Sequence, residues 1–360
     1  MDNDDILLRA EHLCKYFKSG KNELHAVDDI SFYIKRGEVF GLVGESGCGK
    51  TTAGRTVIGL YEPTSGEIYL DGVLIAAGTR SHREAMKHAR IQYREGLAAA
   101  KSDAERRKLK ETLSGTLTEN SKAIRNIERL SRQKRDTSRI QMIFQDPVAS
   151  LDPRMTVREI VAEGLIIKGE RDRKVIDRRV YETLELVGLL PEHAARYPHE
   201  FSGGQRQRIG IARAIIMEPE LIIADEPISA LDVSIQAQVI NLLNDLRRRF
   251  KMAIMFIAHD LSVVKYFSDR IGVMYFGKLV ETAPSDELFR NPLHPYTRSL
   301  LSAIPLPDPI YEKKRRRVIY DPRTAHDYSK DTPTLREAAE GHFVMCDLAE
   351  YERYRRIMNE

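Results

Sequence analysis

The sequence has few cysteines and no long apolar run. Cys14, Cys48 and Cys346 show no paired spacing, which excludes a disulfide scaffold and a cysteine-only metal site and fits a reducing compartment. No apolar run approaches the ~18–20 residues that cross a bilayer. The acidic first five residues are not those of a signal peptide. A function at a membrane would therefore need a partner that spans it.

The composition is that of a folded protein with an uneven charge. The 360 residues indicate two domains, or one large domain with additions, at ~100–200 residues per domain. A hydrophobic share of 42% supports a buried core, and the formal net charge is +4. Residues 79–139, however, contain 17 Lys and Arg against 8 Asp and Glu. This segment is therefore strongly basic, while the remainder is slightly acidic.

The basic segment 79–139 is predicted to be a charged helical hairpin inserted into a domain that continues on both sides. Apolar residues recur at helical spacing, as at Leu109, Leu113 and Leu117. Gly115 and the polar stretch at 116–121 would turn the chain back. The hairpin could contact a partner, acidic lipid or nucleic acid, or it could be a solvated helical excursion. No interleaved aromatic motif accompanies the charges, which disfavours nucleic acid.

A glycine-rich loop follows a predicted buried strand, Val39–Val43. Residues 44–51 match the phosphate-loop pattern G-x-x-x-x-G-K-[ST] at every fixed position, and 52–60 are typical of a helix. Backbone N–H groups and the helix N-terminus would face a polyphosphate. Lys50 would bridge the β- and γ-phosphates, and the Thr51 hydroxyl would bind Mg²⁺. Cys48 is interpreted as a small filler rather than a redox switch, because no resolving cysteine is near in sequence.

Two further apolar strands are predicted to end in polar side chains. Residues 221–227 form an apolar strand that ends in the carboxylates Asp225 and Glu226, and Ala253–Ala258 is followed by His259. Because ligands bind beyond the carboxyl ends of parallel strands, these side chains should lie near the phosphates. Asp225 would serve Mg²⁺, Glu226 would act as a general base or orient water, and His259 would contact the γ-phosphate.

A second anion-binding feature is predicted at the start of a helix near residue 202. Residues 201–208 are Phe-Ser-Gly-Gly-Gln-Arg-Gln-Arg and precede an apolar helical segment. Ser202 and Gln205 have capping-box spacing, which places two glycines at the exposed first turn. One chain cannot easily apply this helix end and its own phosphate loop to the same ATP, whereas a head-to-tail dimer can.

Together these motifs resemble an ATP-binding cassette (ABC) transporter ATPase subunit, over roughly residues 6–310. The resemblance implies a P-loop NTPase fold of the α/β class. This fold has a RecA-like core with an antiparallel β region and a helical subdomain at about 148–216. Within that segment, Thr156 and Glu159 have the capping-box spacing that opens a helix. The ATP-binding domain is expected at 1–285, and a small C-terminal extension at 286–360.

The resemblance also assigns roles to individual residues. Gln145 would be the Q-loop glutamine, which meets Mg²⁺ and couples to the membrane partner. Phe17 stands where the family stacks an aromatic ring on adenine, although its neighbour Tyr16 could do the same. The expected catalytic residues are Glu226, His259 and Gln145, and the expected metal ligands are Thr51, Gln145 and Asp225. The residues expected to bind ATP are Phe17, Gly44, Glu45, Ser46, Gly47, Cys48, Gly49, Lys50, Thr51, Thr52, Ser202, Gly203, Gly204, Gln205 and Asp232.

Residues 201–208, 228–238 and 291–297 resemble the oligopeptide/dipeptide importer subfamily, the last through a His-Pro-Tyr element. The implied function is ATP hydrolysis in a head-to-tail dimer that drives uptake of di- and oligopeptides. The alternatives are import of nickel, glutathione or oligosaccharides by the same motor, or a soluble non-transport ABC ATPase. ATP and Mg²⁺ are the expected cofactors. No iron–sulfur cluster is expected, because Cys346 is the only cysteine of the C-terminal region.

The resemblance also implies partners and a location. The expected partners are two transmembrane permease subunits, an extracytoplasmic solute-binding protein and a second ATPase subunit, in a heterodimer or a homodimer. The chain would lie peripherally on the cytoplasmic face of the cell membrane, and no nucleic acid is expected. The basic run at 313–317 is interpreted as a solvated tail.

Overall fold

The computed structural model describes residues 5–20, 22–100, 102–132, 138–304, 318–329 and 331–359. The basic run at 313–317 lies outside these residues. The described strands are β1 (Ile6–Ser19), β2 (Asn22–Lys35), β3 (Val39–Val43), β4 (Ser65–Leu70), β5 (Val73–Ala77), β6 (Ile140–Ile143), β7 (Leu221–Asp225), β8 (Ala253–Ala258), β9 (Arg270–Tyr275), β10 (Lys278–Pro284), β11 (Thr334–Ala339) and β12 (His342–Cys346).

The described helices surround these strands, and none of them is both long and apolar enough to cross a membrane. They are α1 (Lys50–Ile58), α2 (Arg80–Ala99), α3 (Asp103–Arg132), α4 (Val157–Lys168), α5 (Arg173–Leu186), α6 (Gly203–Ile215), α7 (Val233–Phe250), α8 (Leu261–Phe267), α9 (Ser285–Arg290), α10 (Pro295–Ser302), α11 (Pro322–Ala325) and α12 (Leu348–Asn359). Short 3₁₀ turns at Pro191–Ala195 and Pro198–Glu200 lead into α6.

An eight-stranded mixed sheet forms the centre of the fold. Its order is β11-β12-β10-β9-β3-β8-β7-β6, and the five strands from β9 to β6 are parallel. Strands β3, β7 and β8 are buried along their whole length, as parallel strands covered on both faces should be. Their carboxyl ends therefore meet at one edge of the sheet. The predicted α/β core is confirmed.

A second, antiparallel sheet has the order β2-β1-β4-β5, which confirms the predicted antiparallel region. Its buried face includes Leu13 and Ile30, which share a hydrophobic cluster with Phe40 of β3 and Val57 of α1. This packing holds Ala26 of β2 beside Gly49 at the start of α1.

Between β5 and β6, α2 and α3 pack as an antiparallel helical hairpin. Gly96 faces Leu109, and the His82 ring is hydrogen-bonded to Asn120 at 2.9 Å. The turn predicted near Gly115 is wrong: α3 continues unbroken through this residue, and the chain reverses between α2 and α3 instead.

Two threonine hydroxyls near Gly115 bond back along the helix. The hydroxyls of Thr112 and Thr116 donate to carbonyls four residues earlier, at 2.9 and 3.0 Å, which is a common arrangement of threonine within helices. At the start of α3, Ser102 and Glu105 exchange reciprocal backbone-to-side-chain bonds of 3.3 Å. This capping box begins a new helix at that position.

Helices α4, α5 and α6 pack together beside the central sheet. Val161, Leu184 and Ile211 from these helices belong to the same hydrophobic cluster as the inner strands. The capping box predicted at Thr156 and Glu159 is formed at the start of α4 and is confirmed.

The C-terminal residues extend the central sheet. β11 and β12, here called the C-terminal hairpin, pair with each other, and β12 pairs with β10. Glu281 of β10 and His342 of β12 are both 0% exposed, and Glu281 Oε1 lies 2.8 Å from His342 Nε2. A buried polar pair therefore connects the hairpin to the rest of the sheet.

Gly115→Ala should stabilise α3. A Cβ added at Gly115 meets no atom within 4 Å, so alanine removes the entropic cost of an interior helical glycine, about 0.5–1 kcal/mol. Amide hydrogen exchange in α3 should slow accordingly. The control is Gly96→Ala, where the Cβ would lie 2.9 Å from the Leu109 side chain, so crowding offsets the same gain and exchange should slow less. Faster exchange in Gly115→Ala would mean that the chain does turn there.

Candidate nucleotide site

The glycines of the phosphate loop let its backbone pass close to neighbouring segments. Gly44, Gly47 and Gly49 have φ values of 151°, 82° and 107°, in the region that favours glycine. A Cβ at Gly44 would lie 2.2 Å from Met274 O, and one at Gly49 would lie 2.0 Å from Ala26 O. Met274 belongs to β9 and Ala26 to β2. The loop is therefore packed against both sheets, and no side chain fits at either glycine.

Lys50 lies inside the loop. Its Nζ donates to Gly44 O at 2.7 Å and to Glu45 O at 2.9 Å, and the residue is only 4% exposed. A buried ammonium group needs such acceptors, and phosphate oxygens would be stronger ones. Helix α1 begins here with Gly49 as N-cap and no side-chain cap. Its first-turn N–H groups are therefore available to an anion.

Asp225 is fully buried beside Thr51. Thr51 Oγ1 donates to Asp225 Oδ1 at 2.7 Å. Asp225 Oδ2 has no hydrogen-bond partner among the described residues, and Arg55 Nη2 lies 3.9 Å from it. Burial raises the pKa of Asp225, while the hydrogen bond from Thr51 and the charge of Arg55 act in the opposite direction. A buried carboxylate oxygen in this state fits a nearby cation or its bound water.

These residues fit Mg²⁺ bound together with phosphate. No group of three His, Cys, Asp or Glu side chains in the described parts of the chain is arranged to hold a metal by itself. Mg²⁺ does not need one, because it usually takes one or two protein ligands and completes its shell with water and substrate phosphates. Thr51 Oγ1 and the orphaned oxygen of Asp225 supply that kind of partial donor set.

Glu226, Gln145 and His259 lie together at the carboxyl ends of β7, β6 and β8. Glu226 Oε2 accepts a hydrogen bond from Gln145 Nε2 at 3.0 Å and lies 3.3 Å from His259 Nδ1. Glu226 has a φ of 45°, a strained conformation for a residue with a side chain, which folded proteins retain mainly at functional sites. The structure thus brings together the three residues expected to be catalytic.

The predicted capping box at the start of α6 is confirmed. Gln205 N donates to Ser202 Oγ at 3.3 Å, and Ser202 N donates to Gln205 Oε1 at 3.0 Å. Ser202 and Gly203 are exposed, as is Asp232 before α7. A Cβ at Gly204 would lie 2.8 Å from the Ile235 side chain, so α6 and α7 begin side by side. No hydrogen bond found among the described residues joins this helix start to the phosphate loop.

The two aromatic candidates for adenine stacking point to different neighbours. The Phe17 ring packs edge-on against Tyr61, at a centroid distance of 5.3 Å, and Tyr61 lies beyond the C-terminal end of α1. The Tyr16 ring stacks on His25 at 3.8 Å, next to Ala26, whose carbonyl touches the loop. No ring contact found among the described residues joins Phe17 or Tyr16 to the phosphate loop, and the adenine contact of Phe17 stays a prediction.

Sequence reasoning missed two residues that contact the site's loops. The Tyr296 hydroxyl accepts a hydrogen bond from Glu45 N at 3.1 Å. Arg213 of α6 donates to Ser150 O at 2.6 Å, and its guanidinium lies 5.6 Å from the centre of the Phe144 ring. Arg213 thus connects α6 to the segment around Gln145. The sequence signal for Tyr296 was the His-Pro-Tyr element. The signal for Arg213 was a charged residue within an otherwise apolar helical segment.

Two family models match the chain. The one described as ABC transporter matches residues 27–132 and 106–229, two segments that overlap within α3. The one described as oligopeptide/dipeptide transporter, C-terminal region, matches residues 280–330, from β10 to the segment after α11.

Individual relatives agree with these matches. The chain is 52% identical over 349 residues to the oligopeptide transport ATP-binding protein OppF of Bacillus subtilis (strain 168), covering 97% of this chain and 98% of that one. It is 45% identical over 345 residues to the dipeptide transport ATP-binding protein DppF of Lactococcus lactis subsp. cremoris (strain MG1363), covering 94% and 92%.

Solved structures show the same relationship. A dimeric ATP-binding cassette in a post-hydrolysis state, bound to ADP and Pi, superposes with a TM-score of 0.56 at 26% identity, covering 78% of this chain and 99% of that one. The chain therefore belongs to the ABC transporter family, in its oligopeptide/dipeptide group of ATP-binding subunits.

Proposed function

We propose that this chain is the ATPase subunit of a membrane ABC importer that takes up dipeptides and oligopeptides. The observation that carries the proposal is the convergence of Lys50, Asp225, Glu226, Gln145 and His259 at one edge of the central sheet. Relatives matched over nearly their whole length are oligopeptide and dipeptide transport ATP-binding proteins. These names support peptides as the cargo class.

The residues suit hydrolysis of ATP. A water oxygen attacks the γ-phosphorus, the bond from that phosphorus to the β–γ bridging oxygen breaks, and ADP and phosphate are released. Glu226 orients the water and accepts its proton, while Gln145 and His259 hold the carboxylate in place. Lys50 exchanges the loop carbonyls for β- and γ-phosphate oxygens. Thr51 and Asp225, together with Gln145, would hold Mg²⁺, which would neutralise negative charge on the phosphates when bound.

A head-to-tail dimer would complete each site. The start of α6, at 202–205, and Asp232 are available at the surface of one chain, and their exposed N–H groups suit the γ-phosphate held by a second chain. The solved cassette with the same fold is dimeric. Either a second copy or a related ATPase subunit could supply the facing surface. The adenine contact assigned to Phe17 remains part of this proposal.

A groove next to Phe144 suits the permease. Its volume is about 670 Å³, and it is lined by residues of α1's end, β6, α4 and α6. Leu60 and Ile167 on its rim are 57% and 71% exposed, so apolar side chains face solvent there. An apolar segment of a transmembrane permease subunit would cover them. In this proposal the chain lies peripherally on the cytoplasmic face of the membrane, and an extracytoplasmic solute-binding protein delivers the peptide.

Glu226→Gln should abolish turnover without abolishing ATP binding. The amide keeps the size of the carboxylate but cannot accept a proton, so phosphate release should fall by about 100-fold or more. Size-exclusion chromatography with ATP should show an accumulated dimer. Glu340→Gln, at an exposed position outside the site, is the control and should retain wild-type turnover. Normal turnover in Glu226→Gln would remove this residue from its assigned role.

The cargo class is tested by uptake in the source cells. Cells carrying wild type or Glu226→Gln are given labelled di-, tri- and longer peptides, and separately Ni²⁺. The expected result is selective loss of peptide uptake in the variant, since import depends on hydrolysis. Loss of nickel uptake with intact peptide uptake would contradict the peptide assignment and leave the ATPase assignment in place.

A further inference from the structure

The peptide group between Gly44 and Glu45 is held from both sides. Its carbonyl oxygen accepts a hydrogen bond from Lys50 Nζ at 2.7 Å, and its N–H donates to the hydroxyl oxygen of Tyr296 at 3.1 Å. Gly44 has a φ of 151° and carries no side chain that would oppose rotation of this peptide. The two outside contacts therefore fix the orientation of the peptide that receives Lys50.

Tyr296 is itself fixed by buried contacts. It is 2% exposed, and its ring centroid lies 4.4 Å from that of Tyr275 and 5.6 Å from that of Tyr320. Its backbone N–H donates to His294 Nδ1 at 3.1 Å. Burial lowers the pKa of His294 to about 3, so this ring is neutral at physiological pH and Nδ1 can accept. These contacts hold both the ring of Tyr296 and the start of α10, which carries it.

The start of α10 is connected to the C-terminal hairpin through Glu281. Its carboxylate accepts the backbone N–H of Leu293 at 2.7 Å and that of His294 at 3.0 Å. The same carboxylate lies 2.8 Å from His342 Nε2 in β12. Buried polar networks depend strongly on every member being satisfied. Loss of His342 should therefore loosen the segment that carries Tyr296.

We propose that Tyr296 is a positioning residue for ATP binding and that the C-terminal hairpin supports it through the Glu281–His342 pair. The hydroxyl orients the Gly44–Glu45 peptide, so the loop and Lys50 are arranged for the phosphates before the nucleotide arrives. A tyrosine that only filled space would not need its hydroxyl. The inference rests on the proposed ATPase function and concerns how tightly ATP binds.

Tyr296→Phe tests the role of the hydroxyl. The ring stays in place, but Glu45 N–H loses its partner, so the Kd and KM for ATP should rise on the order of tenfold. The kcat in the assembled transporter and the unfolding midpoint of the nucleotide-free chain should stay near their wild-type values. ATP binding is measured by calorimetry on the full-length chain. The split between KM and kcat distinguishes positioning from general damage to the fold.

Tyr354→Phe is the matched control. Tyr354 is a buried tyrosine of α12, and no hydrogen bond found among the described residues joins its hydroxyl to the phosphate loop. Tyr354→Phe removes a hydroxyl from another buried tyrosine of the C-terminal region and should leave the Kd for ATP unchanged. Equal ATP affinity in Tyr296→Phe and wild type would overturn the assignment of Tyr296.

Substitutions of His342 test the support from the hairpin. His342→Ala should raise the Kd for ATP, and His342→Gln, whose amide can still donate to Glu281, should restore most of the affinity. Normal ATP affinity in His342→Ala would overturn the part played by the hairpin.

Absence of ATP hydrolysis by the wild-type transporter would instead contradict the proposed function. This outcome is independent of the affinities of the variants.

Discussion

The tight packing of two loop glycines against carbonyl oxygens from different sheets is the constraint on which the nucleotide site depends. Gly44 lies against Met274 of the central sheet, and Gly49 lies against Ala26 of the antiparallel sheet. Neither contact leaves room for a Cβ, so the path of the loop is set by the relative placement of the two sheets. Only with this path do the carbonyls of Gly44 and Glu45 converge on Lys50.

The polar groups around this loop are costly in the absence of ligand. Asp225 is fully buried, and one of its oxygens has no hydrogen-bond partner among the described residues. Glu226 takes a left-handed backbone conformation, which costs on the order of 1–3 kcal/mol. Neither feature improves the packing of the core. The buried carboxylate and the strained backbone are understandable if a cation and a phosphate bind at this edge of the sheet. The groups that stabilise these ligands are then in position before the ligands arrive.

Local sequence patterns predicted the parts of the fold that local interactions determine. Strands β3, β7 and β8 and the capping boxes at Thr156 and Ser202 are confirmed. The turn at Gly115 was wrong because the Ser102–Glu105 capping box starts α3 well before this glycine, and the helix continues through it. The spacing of Ser102 and Glu105 was a signal that the sequence offered. The bond from Glu45 to Tyr296 joins residues 251 apart in sequence, and no periodicity can predict such a contact.

The exposed start of α6 is best understood as half of a site. Its capping box satisfies two backbone N–H groups within the chain, but a helix start has four without intrahelical partners. The glycines there add no side chain that could shield the remainder. Next to this start, Val233 is 81% exposed, an apolar side chain beside Asp232. In the proposed dimer a facing chain covers this apolar surface, and the phosphates of the ATP bound to that chain accept hydrogen bonds from the remaining N–H groups. Dimerisation therefore buries the apolar side chain and provides partners for the N–H groups.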